Sequence, residues 1–219
     1  MNDVVIAPSI LAADCGRLNE EIREVEKETS FLHIDVMDGH YVPNLTFGVP
    51  VVESIRKCTN MVFDVHLMVT NPMDFFKPFA DAGADMLTFH VETVDDPDVA
   101  IDAIRKLGKR AGISIHPDTP IEEVLPYVTK CDLVLVMSVR PGFGGQHFME
   151  ESLERIAAVR KVIDENHADT LISVDGGIYT ETAPRVVQAG ASYLVAGSAV
   201  FSNDDHVKAI KELRSCVMS

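Results

Sequence analysis

The sequence predicts an α/β fold, a single-domain (β/α)8 or TIM barrel, and three observations carry that expectation. Short apolar, β-branched runs alternate with helix-like stretches eight times along 219 residues, a rhythm that pairs strands in parallel through helical crossovers. The 47% hydrophobic content suits one large core, in a barrel somewhat below the usual ~250 residues. Polar residues gather at one end of the strands. Ser9, His33, Asp35, His66, His90, Ser138, Asp175 and Ser198 sit at or just past the expected C-terminal ends, which share one mouth in a barrel. No linker, low-complexity run or composition break interrupts residues 1–219, so the whole chain is expected to form one domain.

Taken in order, the first strand is expected over Val4–Ile10. Ser9-Ile10-Leu11-Ala12-Ala13-Asp14 follows it in place of G-x-G-x-x-G, which argues against the runner-up, a doubly wound open sheet. A helix over Leu18–Lys27 leads to the strand Phe31–Asp35, where His33 and Asp35, two apart, project from one face. After a helix over Val51–Arg56, the strand Val62–Met68 repeats the device at Asp64-Val65-His66. Pro72 and Pro97 open helices over Pro72–Ala82 and Pro97–Leu107, and Gly83 closes the first of them before the strand Met86–His90. The strands Gly112–Ile115 and Leu133–Met137 flank a helix expected over Ile121–Val128. Glu151–Glu165, the strand Leu171–Asp175, Thr182–Ala189, the strand Tyr193–Ala196 and a last helix near Asp205–Arg214 complete the pattern.

Charge and cysteine content narrow the partners. Lys and Arg number 19 against 34 Asp and Glu, a balance that argues against nucleic acid and anionic membrane, which need clustered basic charge. A small anion stays open as a ligand, because backbone N–H groups can hold a phosphate without basic side chains. Cys15, Cys58, Cys131 and Cys216 form no C-x-x-C pair, as in a reducing compartment. No basic leader opens the chain and no apolar run approaches a membrane span. A cytoplasmic protein is expected.

The chemistry is concentrated in a few positions. His33, Asp35, His66 and Asp175 offer two imidazoles and two carboxylates. That mixed nitrogen and oxygen set suits one divalent metal ion: zinc, iron(II), manganese or cobalt. Each histidine taken singly reads equally well as a core residue bonded to a neighbouring carboxylate. A metal beside a ketone and an adjacent hydroxyl stabilises an enediolate. Asp35 and Asp175 on opposite sides of that planar intermediate would remove a proton from one face and return one to the other. Such a pair inverts a stereocentre. Met37, Met68 and Met137, each at a strand end, would cap the flat intermediate, although methionines there are as readily core filler. His90 is expected to support the ligands from behind. The loop with Gly142, Gly144 and Gly145, then Gly176-Gly177, then Gly197-Ser198 follow three consecutive strands and suit a phosphate, the first of them doubling as a lid.

Ala7-Pro-Ser-Ile-Leu11, His33-Ile-Asp-Val-Met-Asp-Gly-His-Tyr-Val-Pro-Asn44, Asp64-Val-His-Leu-Met-Val69, Pro141-Gly-Phe-Gly-Gly-Gln146 and Val174-Asp-Gly-Gly-Ile178 resemble the ribulose-phosphate 3-epimerase family, from about Ile6 to Phe201. The resemblance implies a barrel of the ribulose-phosphate-binding type. It would interconvert D-ribulose 5-phosphate and D-xylulose 5-phosphate in the pentose phosphate pathway or carbon fixation. It further implies that His33, Asp35, His66 and Asp175 bind the metal and that Ser9 and His66 contact the substrate. Asp35 would accept the proton and Asp175 donate one, with the roles exchanged in reverse. Gly142, Phe143, Gly144 and Gly145, with Gly176, Gly177, Gly197 and Ser198, would hold the phosphate and close over the sugar. A homo-oligomer is implied as well. Arg140, His116 and Asp118 depart from the family pattern. Two related readings stay open: an epimerase of a six-carbon substrate such as D-allulose 6-phosphate, and a non-catalytic sugar-phosphate-binding barrel. The orotidine-phosphate decarboxylase and hexulose-phosphate synthase group shares the barrel, but His66 stands where its lysine would be.

Overall fold

A computed structural model describes residues 4–218. Eight parallel strands run β1 Val5–Pro8, β2 Phe31–Met37, β3 Val62–Met68, β4 Met86–His90, β5 Arg110–Ile115, β6 Leu133–Met137, β7 Leu171–Asp175 and β8 Tyr193–Ala196. Their order round the sheet is β1-β8-β7-β6-β5-β4-β3-β2. A single parallel bridge, Ser9 to His33, brings the two ends together. The helices are α1 Leu18–Val25, α2 Val49–Arg56, α3 Phe76–Ala82, α4 Pro97–Lys106, α5 Ser152–Asn166, α6 Ala183–Ala189, α7 Ser198–Phe201 and α8 His206–Val217. The expected (β/α)8 barrel is the fold observed.

Two cores hold it together. Outward-facing Ile34, Phe63, Val65, Phe89, Val134 and Val174 are buried under the helices. Inward-facing Ala7, Met86, Leu133, Leu135, Tyr193 and Val195 fill the barrel itself. Strands buried on both faces read as near-continuous apolar runs, so a polar residue in one of them marks an exception with a cause. Asp96 accepts from the Asp98 and Val99 N–H groups ahead of Pro97, and Asp205 accepts from Lys208 N–H at the start of α8.

Three expected elements differ, each for a local reason. The helix expected over Ile121–Val128 is instead two 3-10 turns, Ile121–Glu123 and Leu125–Lys130. Pro126 has no N–H, and its ring crowds the carbonyl four residues back, which breaks an α-helix there. Pro78 acts similarly on the segment expected as one helix from Pro72. Pro72–Asp74 is a 3-10 turn, and α3 begins at Phe76 with Pro78 in its first turn. The first strand stops at Pro8 because Ser9 turns the chain into a 3-10 helix, Ile10–Ala12, whose Leu11 N–H its side chain accepts.

Gly112 shows how tightly the interior is filled. A Cβ there would lie 2.1 Å from Thr88 Oγ1 and 3.0 Å from Thr88 Cβ. Gly112→Ala is expected to destabilise the fold by about 1–3 kcal/mol through overpacking, read as a lower urea midpoint. Adding Thr88→Ala should recover part of that loss. Additive losses in the double variant would place the strain elsewhere.

Candidate active site

His33 and Asp35 come from β2, His66 from β3 and Asp175 from the end of β7, and one ligand atom from each lies within 4.8 Å of all the others. Register explains the convergence. Asp35 pairs with His66 across β2 and β3, so both side chains point into the barrel at nearly one height. His33 lies third in a seven-residue strand and not at its C-terminal end, because β2 runs on to Met37. It therefore sits one layer below Asp35, with Met37 one layer above. Asp35 Oδ1 is 3.3 Å from His33 Nε2 and 3.2 Å from His66 Nδ1. His66 Nδ1 is 4.0 Å from Asp175 Oδ2. The other oxygen of Asp35 accepts the Ser9 hydroxyl at 2.6 Å, a contact made available by the bridge that closes the barrel.

The electrostatics of this cluster suit a cation. His33 Nδ1 is 2.8 Å from Asp64 Oδ2, while its Nε2 is buried and makes no hydrogen bond. Burial works against a charge on His33, but Asp35 and Asp64 outweigh it and hold the imidazole well above its ordinary range. Burial likewise opposes ionisation of Asp35, yet His33 and then His66 hold its carboxyl well below the usual range. Burial and the charge of Asp35 push Asp175 up to about 7. Burial brings His66 down to about 4, against the pull of Asp35. The enclosed carboxylates call for positive charge, and His33 Nε2, buried without a hydrogen bond of its own, would offer a cation its lone pair in exchange for the proton the carboxylates hold there. Two nitrogens and two carboxylates in this arrangement fit a divalent cation.

Above the cluster lies an open cleft. Ser9, Asp35, Met37, Met68, Met137 and Asp175 form its floor and walls, and Gly142, Phe143, Gly144, Gly145, Gly176, Gly177, Gly197 and Ser198 form its rim. His66, expected to touch substrate as well as metal, is fully buried and does not line the cleft. The rim is glycine for steric reasons at two positions. A Cβ on Gly176, at φ 116°, would sit 2.4 Å from Val139 Cγ2. One on Gly177, at φ 62°, would sit 2.7 Å from the Phe148 nitrogen.

Several contributors escaped the sequence reading. Asn44 Nδ2 donates to the Gly142 carbonyl at 2.8 Å, tying the loop after β2 to the glycine loop after β6. Gln146 donates to the carbonyls of Arg140 and Phe143, bracing the same loop from inside. Arg140 pairs with Asp118 at 2.8 Å and does not line the cleft, so two of the three departures from the family pattern answer each other. Gln146 and Asn44 stand inside the quoted motifs, which was the available signal. Asp64 likewise preceded His66 in view, but its partner His33 is 31 residues away.

These features define a class: a (β/α)8-barrel enzyme with two imidazoles and two carboxylates gathered beneath a glycine-rimmed cleft. The Ribulose-phosphate 3 epimerase family model matches residues 5–201. This chain belongs to that family and is an isomerase of the epimerase kind. It is 48% identical over 210 residues to the ribulose-phosphate 3-epimerase of Mycobacterium bovis, covering 96% of this chain and 91% of that protein. It is 46% identical to that of Bacillus subtilis, covering 96% and 98%. A cytoplasmic isoform from Oryza sativa subsp. japonica is 46% identical, over 97% of this chain and 93% of that one. Among solved structures, KGPDC from Streptococcus mutans, crystallised as a complex, superposes with a TM-score of 0.74 at 15% identity, covering 97% and 96%. A 3-hexulose-6-phosphate synthase gives 0.69 at 20% identity, covering 98% and 97%. Both likenesses are of fold alone. No helix among the described residues is long and apolar enough to cross a membrane.

Proposed function

We propose that this chain inverts C3 of a ketose phosphate, converting D-ribulose 5-phosphate to D-xylulose 5-phosphate and back. The observation that carries the reading is the meeting of Asp35 and Asp175, from β2 and β7, in one cluster at the floor of the cleft. A divalent cation held by His33, Asp35, His66 and Asp175 supplies, when bound, Lewis-acid stabilisation of negative charge on the substrate's oxygens. Zinc, iron(II), manganese and cobalt all suit that donor set.

The residues divide the remaining work. Asp35 accepts the C3 proton on one face, and Asp175 returns a proton to the other; the roles exchange in the reverse direction. Ser9, donating to Asp35 Oδ2, holds that carboxylate in one orientation. Met37, Met68 and Met137, all buried along the cleft, cover the planar intermediate with side chains that carry no exchangeable proton, and they keep water from C3. The phosphate lies against backbone N–H groups of the segments 142–145, 176–177 and 197–198, and Phe143 at the exposed loop tip closes over the sugar. Donors of this kind let a protein of net charge −15 hold an anion. We place the whole chain in one barrel domain acting in the cytoplasm, a location supported by four free cysteines and by the relative named as a cytoplasmic isoform.

The test compares turnover of ribulose 5-phosphate with allulose 6-phosphate in deuterium oxide, following label uptake at C3 by NMR. Preference for the five-carbon substrate is expected to reach roughly tenfold to a few hundredfold in kcat/KM, the range that shape discrimination of one extra carbon supplies. The opposite preference moves the assignment to the six-carbon ketose. Binding of both sugars without label at C3 leaves only the non-catalytic binder.

A further inference from the structure

The glycine loop after β6 is tied down at its two ends. Arg140 pairs with Asp118 at the entry, and Met149 N–H donates to the Ser138 carbonyl at the exit. Between those ties, residues 141–145 run along the rim of the cleft. Among the described residues, two side chains bond this stretch. Gln146 donates to the Phe143 carbonyl from within the loop, and Asn44 donates to the Gly142 carbonyl at 2.8 Å from outside it. The Asn44 amide is therefore the one side-chain hydrogen bond that joins residues 141–145 to another element.

The segment that carries Asn44 is itself well braced. The Asp38 carboxylate accepts from the N–H groups of His40, Tyr41 and Thr70 and from the Thr70 hydroxyl. Asp38 also forms an antiparallel bridge with Leu45. The Thr46 hydroxyl accepts from Met37 N–H and donates to the Asp35 carbonyl, which roots the segment in β2. The Asn44 oxygen accepts Leu45 N–H at 2.9 Å, so its nitrogen is left to donate. Gly142, at φ 130°, packs against this segment; a Cβ there would meet Pro43 Cδ at 3.4 Å. On the far side, Cβ atoms on Gly144 and Gly145 would lie 3.9 and 3.7 Å from Ser198 Oγ. The loop thus spans from the β2 side of the mouth to the β8 side. Asn44 does not line the cleft, so any influence it has there passes through Gly142.

We propose that Asn44 is a positioning residue that pins the glycine loop at Gly142, while the tip at 143–145 stays free to settle on the Ser198 side. The pin stands on the contacts above; its effect on substrate rests on the proposed role of this loop in holding the phosphate. A loop already held near its bound geometry loses less freedom when the ligand arrives. The phosphate lies away from C3, so that benefit reaches ground state and transition state alike. It therefore enters KM and not kcat.

Asn44→Ala and Asn44→Asp both remove the donor. Alanine changes the shape and not the charge, aspartate the charge and not the shape, so an effect they share belongs to the lost hydrogen bond. The chain has no tryptophan, and Phe143→Trp places a single reporter at the exposed loop tip. Its fluorescence anisotropy without ligand should be lower when Asn44→Ala or Asn44→Asp is added. In variants that retain Phe143, KM for ribulose 5-phosphate should rise roughly two- to tenfold, the span of one neutral hydrogen bond. The accompanying change in kcat should stay below about twofold. Inhibition by inorganic phosphate should weaken by the same factor as KM. Unchanged anisotropy overturns the pin. So does a loss confined to kcat, or a KM rise in Asn44→Asp alone, which would be charge repelling the anion. A fall in anisotropy with KM and phosphate inhibition both unmoved leaves the pin standing and removes the phosphate from this loop.

Discussion

Asp175→Asn is expected to lower kcat by about 10²- to 10⁴-fold, the contribution of one positioned acid or base, while the barrel folds as before. Asparagine keeps the shape of the side chain and loses the exchangeable proton. The substitution leaves untouched what Asp175 does for the fold, because its main-chain carbonyl, not its carboxyl, accepts from Ser138 N–H and Oγ. The carboxyl also stands at the cleft floor, its side chain 18% exposed, so the change opens no cavity. Circular dichroism and the urea midpoint should match wild type within about 1 kcal/mol, as for changes away from packed contacts. Label exchange then separates two reasons for the loss. With Asp35 intact, the epimer whose C3 proton faces Asp35 should still pick up deuterium without inverting, and the other epimer should not. Equal loss of exchange in both epimers would assign Asp175 to holding the cation alone. Near-wild-type turnover would sink the two-carboxylate scheme.

The sequence disclosed the parts of this site that follow a local period and concealed those set by register. His33 and Asp35 share a face because side chains two apart on a strand do so, and no tertiary information was needed. The eight-fold alternation of strands and helices was equally legible, since parallel pairing requires crossovers. The partnership of His33 with Asp64 needed the β2–β3 register, which places those residues opposite one another. The contacts that join His66 to His90 and His90 to Tyr41 needed the next register too, with the loop carrying Tyr41 folded over β4. Arg140 and Asp118 looked like separate oddities, 22 residues apart, until the loops after β5 and β6 met. The segment Ile121–Val128 is different, because Pro126, which breaks an α-helix there, stands in the sequence itself.

Exhaustive chelation is expected to abolish turnover and added divalent ion to restore it, and the thermal midpoint should move in step. The barrel can fold without the ion because it carries substitutes for the missing charge: His33, held well above its ordinary range, keeps a proton between Asp35 and Asp64. Asp175, pushed up to about 7, limits the excess of negative charge further. A cation replaces those protons and leaves its four donors in place, so binding should stabilise the native state without reshaping it. At a free ion concentration 100 times Kd the gain is about 2.7 kcal/mol. In a chain of this size, 1 kcal/mol moves the midpoint by about 2–4 °C, so an upward shift of roughly 5–10 °C is expected. Stripped protein that retains both its turnover and its midpoint, with metal content far below one ion per chain, would remove the cation from the site. Asp35 and Asp175 would then have to carry the reaction alone, with the charge that develops on the substrate's oxygens left to Ser9 and the backbone donors of the glycine loops.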